Sequence, residues 1–240
     1  MKLFSYDGKM EYQKINDEVI RDNYQHYHVL DCFRDHFGGK KILDAGCWTG
    51  TLEKAIDERK IKCEIVGIDV NEDALAVAEK KFKNRIFCKV DLANPTKDFL
   101  DKYKGYFDTV VFLDVLEHVP AESEVKILKN LKLLLNKNGV LVLSTMLDHK
   151  FNFIDPAWFF GHRHYSENQT QKLVSDSGFI SCEILKIGNL TWDFDLLLLY
   201  IFKHIFRKEY KTPKFIYNKI LKGLTPPQKN ATRIYLIASS

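Results

Sequence analysis

The chain has no CxxC pair: its five cysteines, Cys32, Cys47, Cys63, Cys88 and Cys182, are odd in number and widely spaced. That pattern suggests neither a disulfide framework nor a zinc ribbon, and it leaves buried or free thiols in a reducing compartment. No run approaches the roughly 18 apolar residues of a membrane span. The opening stretch MKLFSYDGKMEYQKIND has no apolar segment fit to serve as a signal peptide. A cytoplasmic protein is the expectation. Internal repeats and low-complexity segments are missing too.

Strong charge of either sign is also missing, since the net charge is only +4, but its distribution is uneven. From Lys203 to Lys229 eight Lys or Arg face the single Glu209, a local surplus of +7 that leaves −3 for everything else. With 240 residues, 45% apolar and 28% charged, the chain is long enough to bury an ordinary core and reads as one domain over 1–240.

Between Lys40 and Met146 short apolar runs alternate with amphipathic ones. KKILDA, CEIVGID, RIFCKVD, DTVVFLD and GVLVLSTM are rich in Val, Ile, Leu and Phe, the pattern of strands covered on both faces. TLEKAIDERK, NEDALAVAEKKF, TKDFLDKY and EVKILKNLKLLL carry helical period; in the second, Ala74, Leu75, Ala78 and Phe82 recur at steps of three and four behind the capping Asn71. These are crossover helices between parallel strands, and the expected architecture is a doubly wound α/β sheet of the Rossmann-like kind. Such sheets bind ligands at the carboxyl ends of their strands. An N-terminal helical cap is predicted over 1–38, and SENQTQKLVSDSGF reads as a helix between a Ser166 cap and a Gly178 stop. FISCEILKIG and ATRIYLIAS are two further strands, separated by a helical insertion over 189–229.

The first strand ends in ILDAGCWTG, where Trp48 stands at a position that dinucleotide-binding loops give to glycine. That glycine lets the backbone approach a pyrophosphate, so the indole points to a ligand without one. Asp69, at the end of the second strand, suits an unphosphorylated ribose. Asp91 and Asp114 end the third and fourth strands, where an adenine amine and the remainder of an adenosine ligand would lie.

These residues resemble the class I S-adenosylmethionine-dependent methyltransferases, and more narrowly their type 11 branch, which includes the quinone-biosynthesis methyltransferases. The resemblance rests on LDAGCWTG, VGIDVNEDAL, CKVDLA, FDTVVFLDVLEHVP and LKLLLNKNGVLVLST, five motifs in order from about Lys40 to Gly178. It implies a seven-stranded, mostly parallel sheet whose last strand runs antiparallel, and S-adenosylmethionine as cofactor. It also implies that Asp44, Gly46, Cys47 and Gly50 surround the methionine end, Asp69 takes the ribose, Val70 covers the adenine face, Asp91 and Leu92 meet the adenine edge, and Asp114 lies near the methionine moiety.

His118 in LEHVP, and His162 and His164 in WFFGHRHYS, are candidates for a base serving an acceptor hydroxyl; the ordinary alternatives are packing beside the cofactor and an anchored surface loop. His149 and Asp155 lie nearby in sequence, but the spacing matches no standard metal site, and none is expected. The insertion TWDFDLLLLYIFKHIFRKEY is apolar on every side from Leu196 to Phe202, which predicts burial as a lid, peripheral contact with a membrane or lipid, or dimerisation. The expected function is methyl transfer to a small-molecule acceptor, lipid-like or isoprenoid in character, with nucleic acid disfavoured. A nicotinamide-dependent oxidoreductase and a non-catalytic nucleic-acid-binding or scaffold protein are the alternatives.

Overall fold

A computed structural model describes residues 24–155, 158, 161–226 and 228–240. Seven strands form one sheet: β1 (Lys41–Ala45), β2 (Glu64–Asp69), β3 (Ile86–Lys89), β4 (Phe107–Leu113), β5 (Leu135–Met146), β6 (Ser181–Ile187) and β7 (Arg233–Ser239). Their order is β3-β2-β1-β4-β5-β7-β6. The first five run parallel, and β7 pairs antiparallel with both β5 and β6. This is the expected doubly wound sheet with its reversed last strand. Strand order reverses between β1 and β4, which opens a crevice above their carboxyl ends.

Because side chains alternate along a strand, the sheet feeds two cores. Leu43 and Ala45 of β1 with Val66 and Ile68 of β2 pack on one face against α4 (Lys97–Tyr103), α5 (Glu124–Leu134) and α6 (Glu167–Asp176). Ile42, Ile65, Val111 and Tyr235 pack on the other against α1 (Tyr24–Cys32) and α2 (Thr51–Glu58). Between β2 and β3 lies α3 (Glu72–Lys81), capped by Asn71, whose side chain accepts from the Ala74 amide. The cap of α6 is Ser166, with a reciprocal bond from the Gln169 side chain, and Gly178 follows its end at φ +88°. The first part of the predicted N-terminal cap lies outside the described residues, and α1 is its described portion.

The insertion between β6 and β7 folds as a hairpin of α7 (Leu190–Tyr200) and α8 (Lys214–Gly223). The stretch TWDFDLLLLYIFKHIFRKEY reads as a helix from its sequence. Instead a π-helical turn spans Ile201–Phe206 and Arg207 adopts φ +51°, which ends the helix and turns the chain back. Asp195, buried in α7, accepts from Tyr210 (2.6 Å) and Thr212 (2.8 Å) and so straps the returning segment down. Trp192 of α7 and Ile216 and Ile220 of α8 join the same core as α1 and α2. At the hairpin's base, Arg233 of β7 donates to Asp193 Oδ1 at 2.7 Å, and its guanidinium lies 4.6 Å from the centre of the Trp192 ring. Both charged residues are buried.

Removing one partner of a buried pair leaves the other charge uncompensated, at a cost of about 3–5 kcal/mol. Asp193→Ala is therefore expected to lower unfolding stability by that order in urea denaturation. Asp193→Ala combined with Arg233→Met should recover part of the loss, and a fully additive double-mutant cycle would show that the pair does not bolt the insertion to the sheet.

Candidate functional site

The loop from β1 to α2 holds a tight path through left-handed backbone: Gly46 at φ +84°, Trp48 at +51° and Gly50 at +87°. A Cβ on Gly46 would fall 2.4 Å from Val115, just beyond β4, and one on Gly50 would fall 2.5 Å from Phe82. Both positions therefore need glycine on space as well as on φ. Trp48 keeps the backbone conformation of the glycine it replaces. Its amide donates to Asp69 Oδ2 at 3.0 Å, and its side chain is half-buried. Gly46 and Cys47 both donate to the Ile68 carbonyl, which ties the loop to the end of β2. The Cys47 side chain is packed with Leu75, Ala78 and Phe87, and burial pushes its thiol pKa up. It is part of the core under the loop.

The carboxylates expected at the strand ends stand along one edge of the sheet. Asp69 accepts from the amides of Trp48 and Asn71, at 3.0 and 2.9 Å. Burial raises its pKa, opposed by those amide bonds. A carboxylate offers about four acceptor sites, so capacity remains for two hydroxyls. Val70 beside it is 60% exposed, an apolar side chain left uncovered at the rim. Asp91, exposed after β3, accepts from Asn94 and the Ala93 amide, which hold its pKa low, while Leu92 is buried. Asp114 follows β4 at φ +53° and accepts from Gln25 of α1 (2.8 Å) and Ser144 of β5 (2.9 Å).

Beneath the loop, Asp44 and Glu53 are buried together. Burial raises both pKa values, that of Glu53 to about 7, and each acid also feels a neighbouring carboxylate. Neither oxygen of Glu53 meets a hydrogen-bond donor among the described residues, and burial beside a second carboxyl favours its protonated form. Asp44 sits below the loop beside it.

The three candidate histidines gather at the carboxyl end of β4 and β5. His162 Nε2 lies 3.0 Å from His118 Nδ1, with the rings edge to face. His164 Nε2 lies 3.0 Å from Asp155 Oδ2, and His162 Nδ1 lies 3.9 Å from the same oxygen. The segment is extended, so Arg163 and Tyr165 point the other way: Arg163 donates to Glu124 and to the carbonyls of Leu116 and Val119, and Tyr165 to that of Leu116. These bonds clamp the histidine segment onto the loop after β4. Desolvation brings His162 down to about 4, helped by His118 and opposed by Asp155. His118 is exposed at the rim although protein encloses its inner side; that partial desolvation lowers its pKa against the pull of Asp114 and Asp155. Both imidazoles are neutral at pH 7 and able to accept a proton. Among the described residues no three His, Cys, Asp or Glu side chains are placed to hold a metal ion. An open cleft of about 790 Å³ lined by Asp35, His36 and Asp108 lies at the amino edge of the sheet, the wrong edge for ligand binding in such folds.

Residues 43–141 match the family described as methyltransferase domain. Over this segment the chain is similar to methyltransferase domains. The ribosomal protein L11 methyltransferase of Thermotoga petrophila is 32% identical over 117 residues, 48% of this chain and 40% of that protein. The ubiquinone biosynthesis O-methyltransferase of Actinobacillus pleuropneumoniae is 34% identical over 113 residues, 45% of this chain and 46% of its own. The chain spans less than half the length of these curated relatives. A crystal structure of a SAM-dependent methyltransferase from Archaeoglobus fulgidus shares the fold, with a TM-score of 0.62 at 16% identity over 98% of this chain and all of that one.

The archaeal neighbour in fold is named as dependent on S-adenosylmethionine. The donor set of this domain fits it: a carboxylate with spare acceptor sites at β2, an exposed apolar side chain next to it, and a glycine loop with no anion cradle to fill. Gln25, Ser144 and Arg233 are additions that sequence reasoning missed. Gln25 lies in NYQHYHVLDCF, whose polar and aromatic content marks it as unusual, but nothing local announces that it reaches Asp114.

The buried acid pair makes stability depend on pH. Glu53 titrates at about 7 in the folded chain against an ordinary 4.5, so the folded state keeps a proton that the unfolded state gives up. Stability is therefore full below pH 4.5 and declines as pH rises through 7. Glu117, raised by burial to about 8, adds a decline of the same sign. Chemical denaturation at pH 5 and pH 8 should show a shallower decline for Glu53→Gln than for the parent chain; equal slopes would contradict the assignment.

Proposed function

We propose that the protein is an enzyme that transfers the methyl group of S-adenosylmethionine to a hydroxyl of a small, lipid-like acceptor held above the carboxyl ends of β4 and β5. The observation that carries this reading is the His118–His162 contact, backed by Asp155 and His164 and placed next to Asp114 at the same sheet edge. The relative named as an O-methyltransferase of ubiquinone biosynthesis supports both the oxygen and the lipid-like character of the acceptor. So does the apolar hairpin of α7 and α8, whose base meets a neighbour of the histidine cluster: His149 Nε2 lies 3.2 Å from Asp193 Oδ2, and the His149 and His164 rings are 6.1 Å apart.

The cofactor, when bound, supplies an already electrophilic methyl group. What the chain's residues must do is hold, align and exclude water. Asp69 accepts the ribose hydroxyls, Val70 and Leu92 flank the adenine, and Asp91 takes its amine. Gly46 and Gly50 keep the loop close to β4, and Asp114, fixed by Gln25 and Ser144, bounds the methionine end. A hydroxyl must lose its proton as it is methylated, and a neutral imidazole at His118 or His162 accepts it. Nδ1 of His162 and Nδ1 of His164 are buried without a hydrogen-bond partner among the described residues, which leaves polar capacity for the acceptor side.

Calorimetric titration with S-adenosylhomocysteine tests the cofactor half. Asp69→Ala removes a charged acceptor worth about 1.5–3 kcal/mol per bond, so binding should weaken about tenfold or more. Unchanged affinity would remove Asp69 from the site. For the acceptor half, His118→Ala and His162→Ala should each cut kcat about 10²-fold or more on a lipid-like phenol while leaving S-adenosylhomocysteine affinity alone. The acid limb of kcat/KM should fall below the ordinary imidazole value of 6.5, because burial lowers both histidines. Full kcat in both variants would overturn the base assignment.

A further inference from the structure

The hairpin of α7 and α8 leaves apolar surface that neither core uses. Leu196 and Leu198 pack in part against the core shared with α1 and α2, but every residue from Leu196 through Phe202 is only half-buried, although that run is apolar on all sides. Beyond it, in the π-helical turn, Ile205 is 69% and Phe206 55% exposed. On α8 the sides divide cleanly: Ile216 and Ile220 face the core, while Phe215 is 66% exposed. The two helices run antiparallel. Asn189 bonds to the Lys219 carbonyl, and Gly188 to that of Gly223, so the ends nearest β6 and β7 lie together. Ile205 and Phe206 consequently lie toward the opposite end, the tip, and Phe215 stands exposed in the first turn of α8, the turn of that helix farthest from the base. Phe202 stacks against Phe206 and Tyr210 there, and Asp195 holds Tyr210 and Thr212 in place, which makes the tip a built structure rather than a loose loop.

The tip is ringed by cations. Arg207, Lys208, Lys211 and Lys214 are all exposed, and the acid among them is Glu209, 3.8 Å from Lys211. Large apolar side chains standing out of a basic fringe match the chemistry of a bilayer surface, where the rings and branched chains enter the headgroup region and the cations meet lipid phosphates. A second copy of the chain is a poor occupant, because two such tips face to face would bring eight like charges together. Among the described residues no helix is long and apolar enough to cross a membrane, so the contact would be peripheral.

We propose that the tip of the α7–α8 hairpin is a docking surface for an anionic lipid bilayer, with Ile205, Phe206 and Phe215 inserting and Arg207, Lys208, Lys211 and Lys214 pairing with phosphates. This stands apart from methyl transfer, since its readout is vesicle binding. It also gives the hairpin a working geometry: α7 spans about 16 Å from tip to base, and the base is where Asp193 meets Arg233 and His149. A lipid-like acceptor would then be collected at one end of the element whose other end borders the histidines.

The test is sedimentation of the full chain with vesicles of phosphatidylcholine alone and of phosphatidylcholine with one-quarter phosphatidylglycerol. Binding to the anionic vesicles should be at least about tenfold tighter and should fall steeply with salt, since each cation near such a surface contributes about 1 kcal/mol, or roughly fivefold. Lys208→Glu, Lys211→Glu and Lys214→Glu together should abolish the preference for anionic vesicles. Ile205→Ser, Phe206→Ser and Phe215→Ser together should weaken binding to them at least about tenfold. Both variants alter exposed positions, so unchanged melting temperature and unchanged S-adenosylhomocysteine affinity are expected and separate this outcome from misfolding. Three results would overturn the proposal: equal binding to both vesicles, no binding to either, or a parent chain that sediments as a dimer which the apolar triple variant dissociates. Vesicle binding that appears only after deletion of residues 1–23 would assign the tip to the chain's own N-terminal segment instead.

Discussion

The guanidinium of Arg233 is buried at the one edge of the sheet where acids collect. Asp193 takes its hydrogen bond, and Asp114, Asp155 and Glu117 lie within its electrostatic reach. Without that charge, the carboxylates that line the crevice would repel one another in a poorly solvated space. Several features follow from it. Asp193 is the insertion's counter-ion at the base of the hairpin. Asp155 orients His164 and approaches His162, and Asp114 can be fixed by neutral donors, Gln25 and Ser144, without a cation of its own. The functional edge is held by electrostatic balance, while the hydrophobic cores on either face hold the rest.

Much of this was legible in the chain. Short runs of Val, Ile, Leu and Phe ending in Asp44, Asp69, Asp91 and Asp114 give both the strands and the edge at which a ligand binds, because a parallel sheet puts every carboxyl end on one side. Gly46 and Gly50 are legible as turn residues, and the contacts with Val115 and Phe82 supply the reason that no side chain fits there. Trp48 is half legible. Its presence excludes a pyrophosphate-cradling loop, but the fact that it keeps a left-handed backbone and donates to Asp69 depends on the fold around it. Arg233 and Gln25 were not legible at all. Their partners lie 40 and 89 residues away, and neither has a local pattern that separates it from an ordinary surface residue.

The insertion shows how composition can be read correctly while geometry escapes. An apolar run from Leu196 to Phe202 demands cover, and the sequence leaves burial, lipid and a second copy open. A straight helix would continue the run into solvent. The π-helical turn and Arg207 fold it back, and the strap from Asp195 to Tyr210 and Thr212 determines which residues end up at the tip. Those bonds join positions 15 and 17 residues apart, a spacing that no helical period anticipates.

The hairpin also bears on how an enzyme of this class selects an acceptor. A cofactor whose methyl is already reactive asks little of the protein beyond alignment, so specificity must come from what is admitted to the crevice and from what excludes water there. In this chain the wall on the acceptor side is not part of the matched domain, residues 43–141. It is built from the histidine segment clamped by Arg163 and Tyr165, from the start of β7 and from α7, all downstream of it. On the proposed reading, the segment matched in sequence would hold the cofactor, and the part downstream of it would face the acceptor. On the proposed reading, a lipid-like acceptor would be stabilised along the apolar length of α7, and the helix that needs cover for its leucines would bias the site toward molecules able to provide it.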